Sequence, residues 1–174
     1  MTLTPVEQKF ILHWGEMGTR WGINRTVAQV HALLFVSQKP LHAEDIAGTL
    51  AVARSNVSTS LRELQGWRIV RVVHVLGDRR DHFESLKDVW EIFRIVSEER
   101  KRREIDPTLA LLRECVNEFD PKTEPFARQK IKTTLDFLEL LNRWHDEMKG
   151  VPVPLLVTLL RMGGKVQKFL RKAA

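Results

Sequence analysis

The apolar positions of this chain follow a helical period, then briefly a strand period, then a helical period again. Thr4-Pro5-Val6-Glu7 places a capping hydroxyl, a proline at the first helical position and an acid three residues after the cap, which predicts a helix start. Phe10, Trp14, Met17 and Trp21 then recur on one helical face, and Gly22 ends the helix. A second helix is predicted from near Asn24, with Val27, Val30 and Leu34 turned inward, closed by Lys39-Pro40. A short helix over 43–50 comes next, with Ile46, Ala47 and Leu50 inside. Ala51-Val52-Ala53 is a tight connection, and a helix over 54–65 buries Val57, Leu61 and Leu64. Gly66 occupies the place of a C-cap glycine.

The period changes at Ile69. The run to Val75 is rich in β-branched residues and reads as a strand, Gly77-Asp78 marks a turn, and His82-Phe83-Glu84 reads as the returning strand. Beyond Ser85 the chain is helical again. Val89, Trp90, Phe93, Val96, Ile105, Leu109, Leu112 and Val116 stripe a long helix with a break expected near Asp106-Pro107. Asp120-Pro121 and Pro125 form a connector. Ile131, Leu135, Leu138, Leu141 and Trp144 stripe the next helix, which ends near Gly150, and an amphipathic helix begins at Pro152 and Pro154. There is no repeat and no low-complexity tract.

The order helix, short helix, tight turn, helix, strand, turn, strand is that of a winged helix-turn-helix. The fold class expected is mainly α with a small β-hairpin. An N-terminal dimerisation helix is expected at 1–23, a winged helix-turn-helix DNA-binding domain at 24–86, and a C-terminal helical dimerisation region at 87–174.

Charge sharpens this layout. The chain has 174 residues and a net charge of +6. Residues 1–53 are neutral overall, while 54–80 carry six arginines against Glu63 and Asp78. Residues 81–150 are net −3, and 151–174 carry five cations and no acid. A cationic segment that coincides with the helix-turn-helix favours a polyanionic partner. The helix over 54–65 presents Arg54, Ser55, Asn56, Ser58, Thr59 and Arg62 opposite its apolar side. Arginine can pair bidentately with guanine and asparagine with adenine, and hydroxyls suit phosphate oxygens. Serine and threonine are only moderate helix formers, so a solvated face has little reason to collect them. At the hairpin tip, Arg79 or Arg80 can enter a narrow minor groove while Asp78 or Asp81 orients the turn. The order of residues does not decide between the two arginines.

Residues 24–85, and above all "LAVARSNVSTSLRELQGWRIVRVVHVLGDRRDHFES", resemble the DNA-binding region of the MarR family, and more narrowly its GbsR-like branch. The Asp-Arg-Arg-Asp hairpin resembles the family's wing signature, and "ARSNVSTSLREL" the branch's recognition helix. The resemblance implies a homodimeric transcriptional regulator on a pseudo-palindromic DNA operator. For the branch it implies regulation related to choline or glycine betaine supply. The helix after Pro154 is an addition to the basic family layout.

Other chemistry is sparse. Trp14, Trp21 and Trp90 are candidates for an aromatic cage around a quaternary ammonium effector, although aromatic stripes at helical spacing more often belong to a core. Cys115 is the single cysteine, which excludes an intramolecular disulfide, and its neighbours create no obvious reactive thiolate. The six histidines show no metal-ligand spacing, so neither metal nor cofactor is expected. No phosphate loop, dinucleotide fingerprint, zinc-protease motif or nucleophile elbow is present, so no enzyme is expected. Charges in the first helix interrupt any signal-like run, and the longest uncharged stretch, 26–38, is too short to span a bilayer. A cytoplasmic protein is therefore expected, without membrane contact. The basic residues after Arg161 read as a solvated face before a DNA or membrane contact. The competing class is a winged-helix protein-interaction module that binds no specific DNA.

Overall fold

The computed structural model describes residues 2–118 and 125–162. The chain divides into two compact units, Met1–Val96 and Ser97–Ala174.

The first unit begins with α1 (Pro5–Arg20). Thr4 Oγ1 accepts from the Glu7 amide at 3.3 Å, and Glu7 Oε2 accepts from the Thr4 amide at 2.7 Å. This reciprocal box satisfies two donors that a helix start otherwise leaves open. Gly22, at φ 76°, turns the chain into α2 (Arg25–Val36), which Asn24 caps by accepting from the Thr26 amide at 2.8 Å. Helix α2 is the centre of the unit: Val27, Ala28, Val30, His31, Ala32, Leu33 and Leu34 are all buried. Gly15 and Gly18 let α1 approach it closely. A methyl group at Gly18 would stand 2.5 Å from the Ala28 Cβ.

Strand β1 (Leu41–His42) leads into α3 (Ala43–Leu50), then α4 (Arg54–Gly66), β2 (Val70–Val73) and β3 (His82–Ser85). The sheet order is β1-β3-β2, antiparallel throughout, with Leu41 opposite Phe83, His42 opposite His82 and Val73 opposite His82. The winged helix-turn-helix order expected from the pattern is the one observed. Three details differ. A third strand, β1, completes the sheet; two residues are too few to show a period. Gly66 is the last helical residue rather than the left-handed cap, and Arg68 takes the positive φ of 62°. No break occurs at Asp106-Pro107. Helix α5 (Val89–Arg100) passes through a π-helical turn (Lys101–Ile105) into α6 (Asp106–Glu118). The wider turn just before Pro107 carries the helix through a residue that has no amide donor.

The core of the first unit gathers Ile11, Leu33, Leu34, Ile46, Val57, Leu61, Leu64 and Ile69 from α1 through β2. Lys87 ties the end of β3 to α2: its ammonium donates to the carbonyls of Leu34, Phe35 and Ser37 at 2.7–2.8 Å. It thereby supplies the C-terminal carbonyls of α2 with the donors and the positive charge they lack.

The second unit contains the π turn, α6, α7 (Pro125–Lys149) and a helix over 153–162. Arg113 pairs with Glu139 between α6 and α7 at 2.9 Å. Leu109 and Leu135 are buried, whereas Phe126, Phe137, Leu140 and Trp144 are exposed. The connector at Asp120-Pro121 and the cations Lys165, Lys168, Arg171 and Lys172 lie outside the described residues. Among the described residues no helix is long and apolar enough to cross a membrane.

Candidate nucleic-acid interface

Helix α4 is two-sided. Val57, Ser60, Leu61 and Leu64 are buried, and Ser60 Oγ donates to the Asn56 carbonyl at 2.8 Å, which satisfies the one hydroxyl on that side. Arg54, Ser55, Asn56, Ser58, Thr59 and Arg62 are all exposed. The six residues expected to read DNA thus share the solvent side of one helix. Its N-cap, Ala53, offers no side-chain acceptor, so amides of the first turn stay open to an external anion. Arg54 pairs with Glu44 of α3 at 2.7 Å.

The turn between α3 and α4 depends on Ala51, which adopts the left-handed conformation at φ 52° and ψ 42°. This single residue reverses the chain between the two helices of the motif.

The wing tip is built from a second turn. The Asp78 amide donates to the Val75 carbonyl at 3.0 Å, and Gly77 has φ 85°, the arrangement of a type II turn. Asp78 then organises the arginine two residues on. Its Oδ1 accepts from the Arg80 amide at 3.0 Å, and its carboxylate takes Arg80 Nε at 2.9 and 3.1 Å. The Arg80 hydrogen bonds hold the Asp78 carboxyl well below the usual carboxylate range, and Asp78 in turn raises Arg80. Arg80 Nη1 reaches His42 Nε2 at 2.8 Å. The guanidinium of Arg80 is therefore occupied on two sides. Arg79 is exposed and forms no hydrogen bond or ion pair among the described residues. Neighbouring Leu76 is fully exposed at the tip.

The sheet brings together side chains that sequence reading left scattered. His42 and His82, both buried, face each other across β1 and β3 with ring centroids 5.6 Å apart. Around them stand Glu44 and Asp45 from α3 and Asp78 and Arg80 from the wing. The available signal was His42-x-Glu44-Asp45 together with His82 just after the wing arginines. Its meaning depends on β1, which is too short to predict. Leu76, beside the Gly-Asp turn, is a further tip residue that the charge pattern passed over.

Two of the three candidate tryptophans meet phenylalanine rings. Trp14 stacks on Phe10 at 5.4 Å, Trp90 meets Phe93 edge-on at 6.4 Å, and Trp21 caps the end of α1. These ring contacts join Trp14 and Trp90 to different phenylalanines rather than to each other. Cys115 is free and half-buried. Among the described residues no group of three or more His, Cys, Asp or Glu side chains is placed to hold a metal ion.

Comparison with known proteins fits this geometry. Residues 21–81 match the model of the MarR family. The chain is 24% identical over 156 residues to YvaV of Bacillus subtilis (strain 168), a protein named as a putative HTH-type transcriptional regulator, covering 83% of this chain and 84% of that protein. It also superposes on a crystal structure described as a transcriptional regulator. There the TM-score is 0.67 and the identity 20%, covering 84% of this chain and 97% of the other. That likeness establishes the winged-helix fold.

Proposed function

We propose that this chain, which carries a MarR-family winged helix at residues 21–81, is a sequence-specific DNA-binding transcriptional regulator that acts as a homodimer. The observation that carries the reading is the joint exposure of the α4 polar side and of Arg79 at the wing. Arg54, Asn56 and Arg62 supply groups for base edges in the major groove, and Ser55, Ser58 and Thr59 supply hydroxyls for phosphates. Arg79 is the minor-groove arm, because its guanidinium has no partner among the described residues. Arg80 is the strut that Asp78 and His42 hold in place.

The homodimer reading is supported by apolar side chains left in solvent. Phe126, Phe137, Leu140 and Trp144 lie along α7, and Val6 and Leu12 on α1. Symmetric pairing would place two recognition helices about 34 Å apart on a pseudo-palindromic site. A repressor released by an osmoprotectant such as choline or glycine betaine is the finer reading. It rests on the likeness of "ARSNVSTSLREL" to the GbsR-like branch, with Trp14, Trp21 and Trp90 as the aromatic candidates. Titration calorimetry with both compounds tests it; absence of heat and unchanged DNA affinity would remove it.

The main test is a gel shift on an operator selected from a random-sequence duplex pool. Arg54→Ala and Arg79→Ala are each expected to cost about 1–3 kcal/mol of affinity for that operator. Binding should fall steeply as salt rises. Unchanged affinity in both variants would favour the protein-interaction alternative.

A further inference from the structure

Each ring nitrogen of His42 faces one hydrogen-bond donor and one acceptor. Nδ1 lies 3.3 Å from the Asp45 amide, a donor, and 3.0 Å from Glu44 Oε2, an acceptor. Nε2 lies 2.8 Å from Arg80 Nη1, a donor, and 3.0 Å from Asp45 Oδ2, an acceptor. An imidazole cannot satisfy all four. The neutral ring has one N–H and one lone pair, and the charged ring has two N–H groups and no lone pair. Contact with Arg80 requires the lone pair on Nε2. It therefore belongs to the neutral ring, with the proton on Nδ1 directed at Glu44. A second proton on Nε2 points at Asp45 and sets two positive groups, imidazolium and guanidinium, against each other. His42 is buried, so solvent does little to relieve that repulsion.

His82 acts in the same direction. Its Nδ1 donates to the Arg80 carbonyl at 3.0 Å, and its Nε2 stands 3.5 Å from Asp78 Oδ2. A proton on Nε2 of His82 gives Asp78 a second cationic partner and weakens its exclusive hold on Arg80. The charged groups around the pair are Glu44 and Asp45 from α3, and Asp78 and Arg80 from the wing. Arg54 of α4 adds its charge through Glu44.

We propose that His42 is a proton-operated latch between α3 and the wing. Neutral, it accepts from Arg80 and fixes the wing; protonated, it turns both N–H groups to Glu44 and Asp45 and releases the wing. Histidine is the side chain whose charge ordinarily changes between about pH 5 and 8, so acidification is the signal. The latch regulates the same surface that is proposed to bind DNA, and its effect on affinity rests on that reading. Its effect on Arg80 does not. A released Arg80 leaves the wing tip held to α3 less firmly, and Arg79 loses its fixed aim.

Two measurements on the full chain separate the claims. In nitrogen–proton NMR across about pH 5–8, the Arg80 Nε–H signal should move with the same midpoint as the His42 ring. In His42→Gln, whose amide oxygen offers Arg80 an acceptor that does not titrate, that movement should drop to whatever His82 contributes. In gel shifts on the selected operator, the penalty of Arg79→Ala should shrink by about threefold or more between about pH 8 and about pH 5.5. In the His42→Gln background that shrinkage should fall to the part His82 contributes through Asp78. Specific binding together with an Arg80 signal that ignores the His42 titration overturns the latch. A latched Arg80 signal in a protein that selects no operator sinks the DNA reading and leaves the latch standing.

Discussion

The two units of this chain solve the burial problem differently. In Met1–Val96, α2 is surrounded: Val30, Leu33 and Leu34 are at most 1% exposed, and α1, α4 and the sheet contribute Ile11, Val57, Leu64 and Val70 to the same core. In the described part of Ser97–Ala174, Leu109 and Leu135 are buried, yet Phe126, Phe137, Leu140 and Trp144 are each more than half exposed. The first unit closes its own core. The second presents a stripe of large apolar side chains with a sequence period as regular as that of a core, and exposed stripes of this kind mark association surfaces. Equal hydrophobic periodicity therefore does not mean equal burial within one chain.

Paired truncations test that contrast and should give the largest effects. Leu33→Ala is expected to cost about 2–5 kcal/mol at any protein concentration, because it leaves a cavity in a closed core. Leu140→Ala should cost little in dilute protein and appear instead as a weaker, concentration-dependent self-association, read by sedimentation and by the concentration dependence of thermal unfolding. Equal losses at every concentration would erase the distinction between the two units.

A second test uses a polar group inside the first core. His31 is buried on α2 beside Phe35, its Nε2 has no hydrogen-bond partner, and burial, with Lys87 nearby, lowers it from 6.5 to about 4. At pH 8 the ring is neutral in both the folded and the unfolded chain, so no proton distinguishes them. Below about 6.5 the unfolded chain takes up a proton that the folded chain refuses, and stability falls until about pH 4, where the folded chain accepts it too. The interval is worth about 3 kcal/mol. Urea unfolding of His31→Leu should lose that part of the acid sensitivity. An unchanged pH profile would show that other groups govern it. The same acidification loosens the wing through His42, but that event leaves the core intact, so core unfolding and wing release should separate in hydrogen exchange.

How much could be read in advance depends on how local each determinant is. The α1 cap, the inward residues of α2 and the two sides of α4 are set by neighbours within a turn or two of helix, and the pattern of Thr4, Val30 and Leu61 displays them. The wing was legible as a Gly-Asp turn between β-branched runs. The choice between Arg79 and Arg80 was not. What separates them in the structure is the contact of Arg80 with His42, 38 residues away in sequence and placed there by a two-residue strand with no period of its own. The His42–His82 pair was invisible for the same reason, since only the β1–β3 register makes the two residues neighbours. The exposed side of α7 was missed for another reason: the stripe read from the pattern runs through Ile131, Leu135 and Leu138, which are buried or half-buried, whereas Phe126, Phe137 and Leu140 form a second apolar side outside it.

The smallest effect expected concerns backbone strain at two places where the chain departs from its own punctuation. Gly66 stays helical while Arg68 takes φ 62°, and Ala51 takes φ 52° at the reversal between α3 and α4. A Cβ in the left-handed region costs roughly 1–2 kcal/mol, and glycine returns part of that gain as extra freedom in the unfolded chain. Ala51→Gly and Arg68→Gly should therefore each stabilise the first unit by about 0.5–1 kcal/mol. The two should add, because the sites share no partner. DNA affinity should discriminate between them. Ala51 sets the angle at which α4 leaves α3, so freeing it loosens the reading helix, whereas Arg68 comes after α4 and leaves its N-terminal half untouched. A stabilised Ala51→Gly protein with weaker operator binding, beside an Arg68→Gly protein with unchanged binding, would show that the alanine in the turn trades stability for a fixed helix angle.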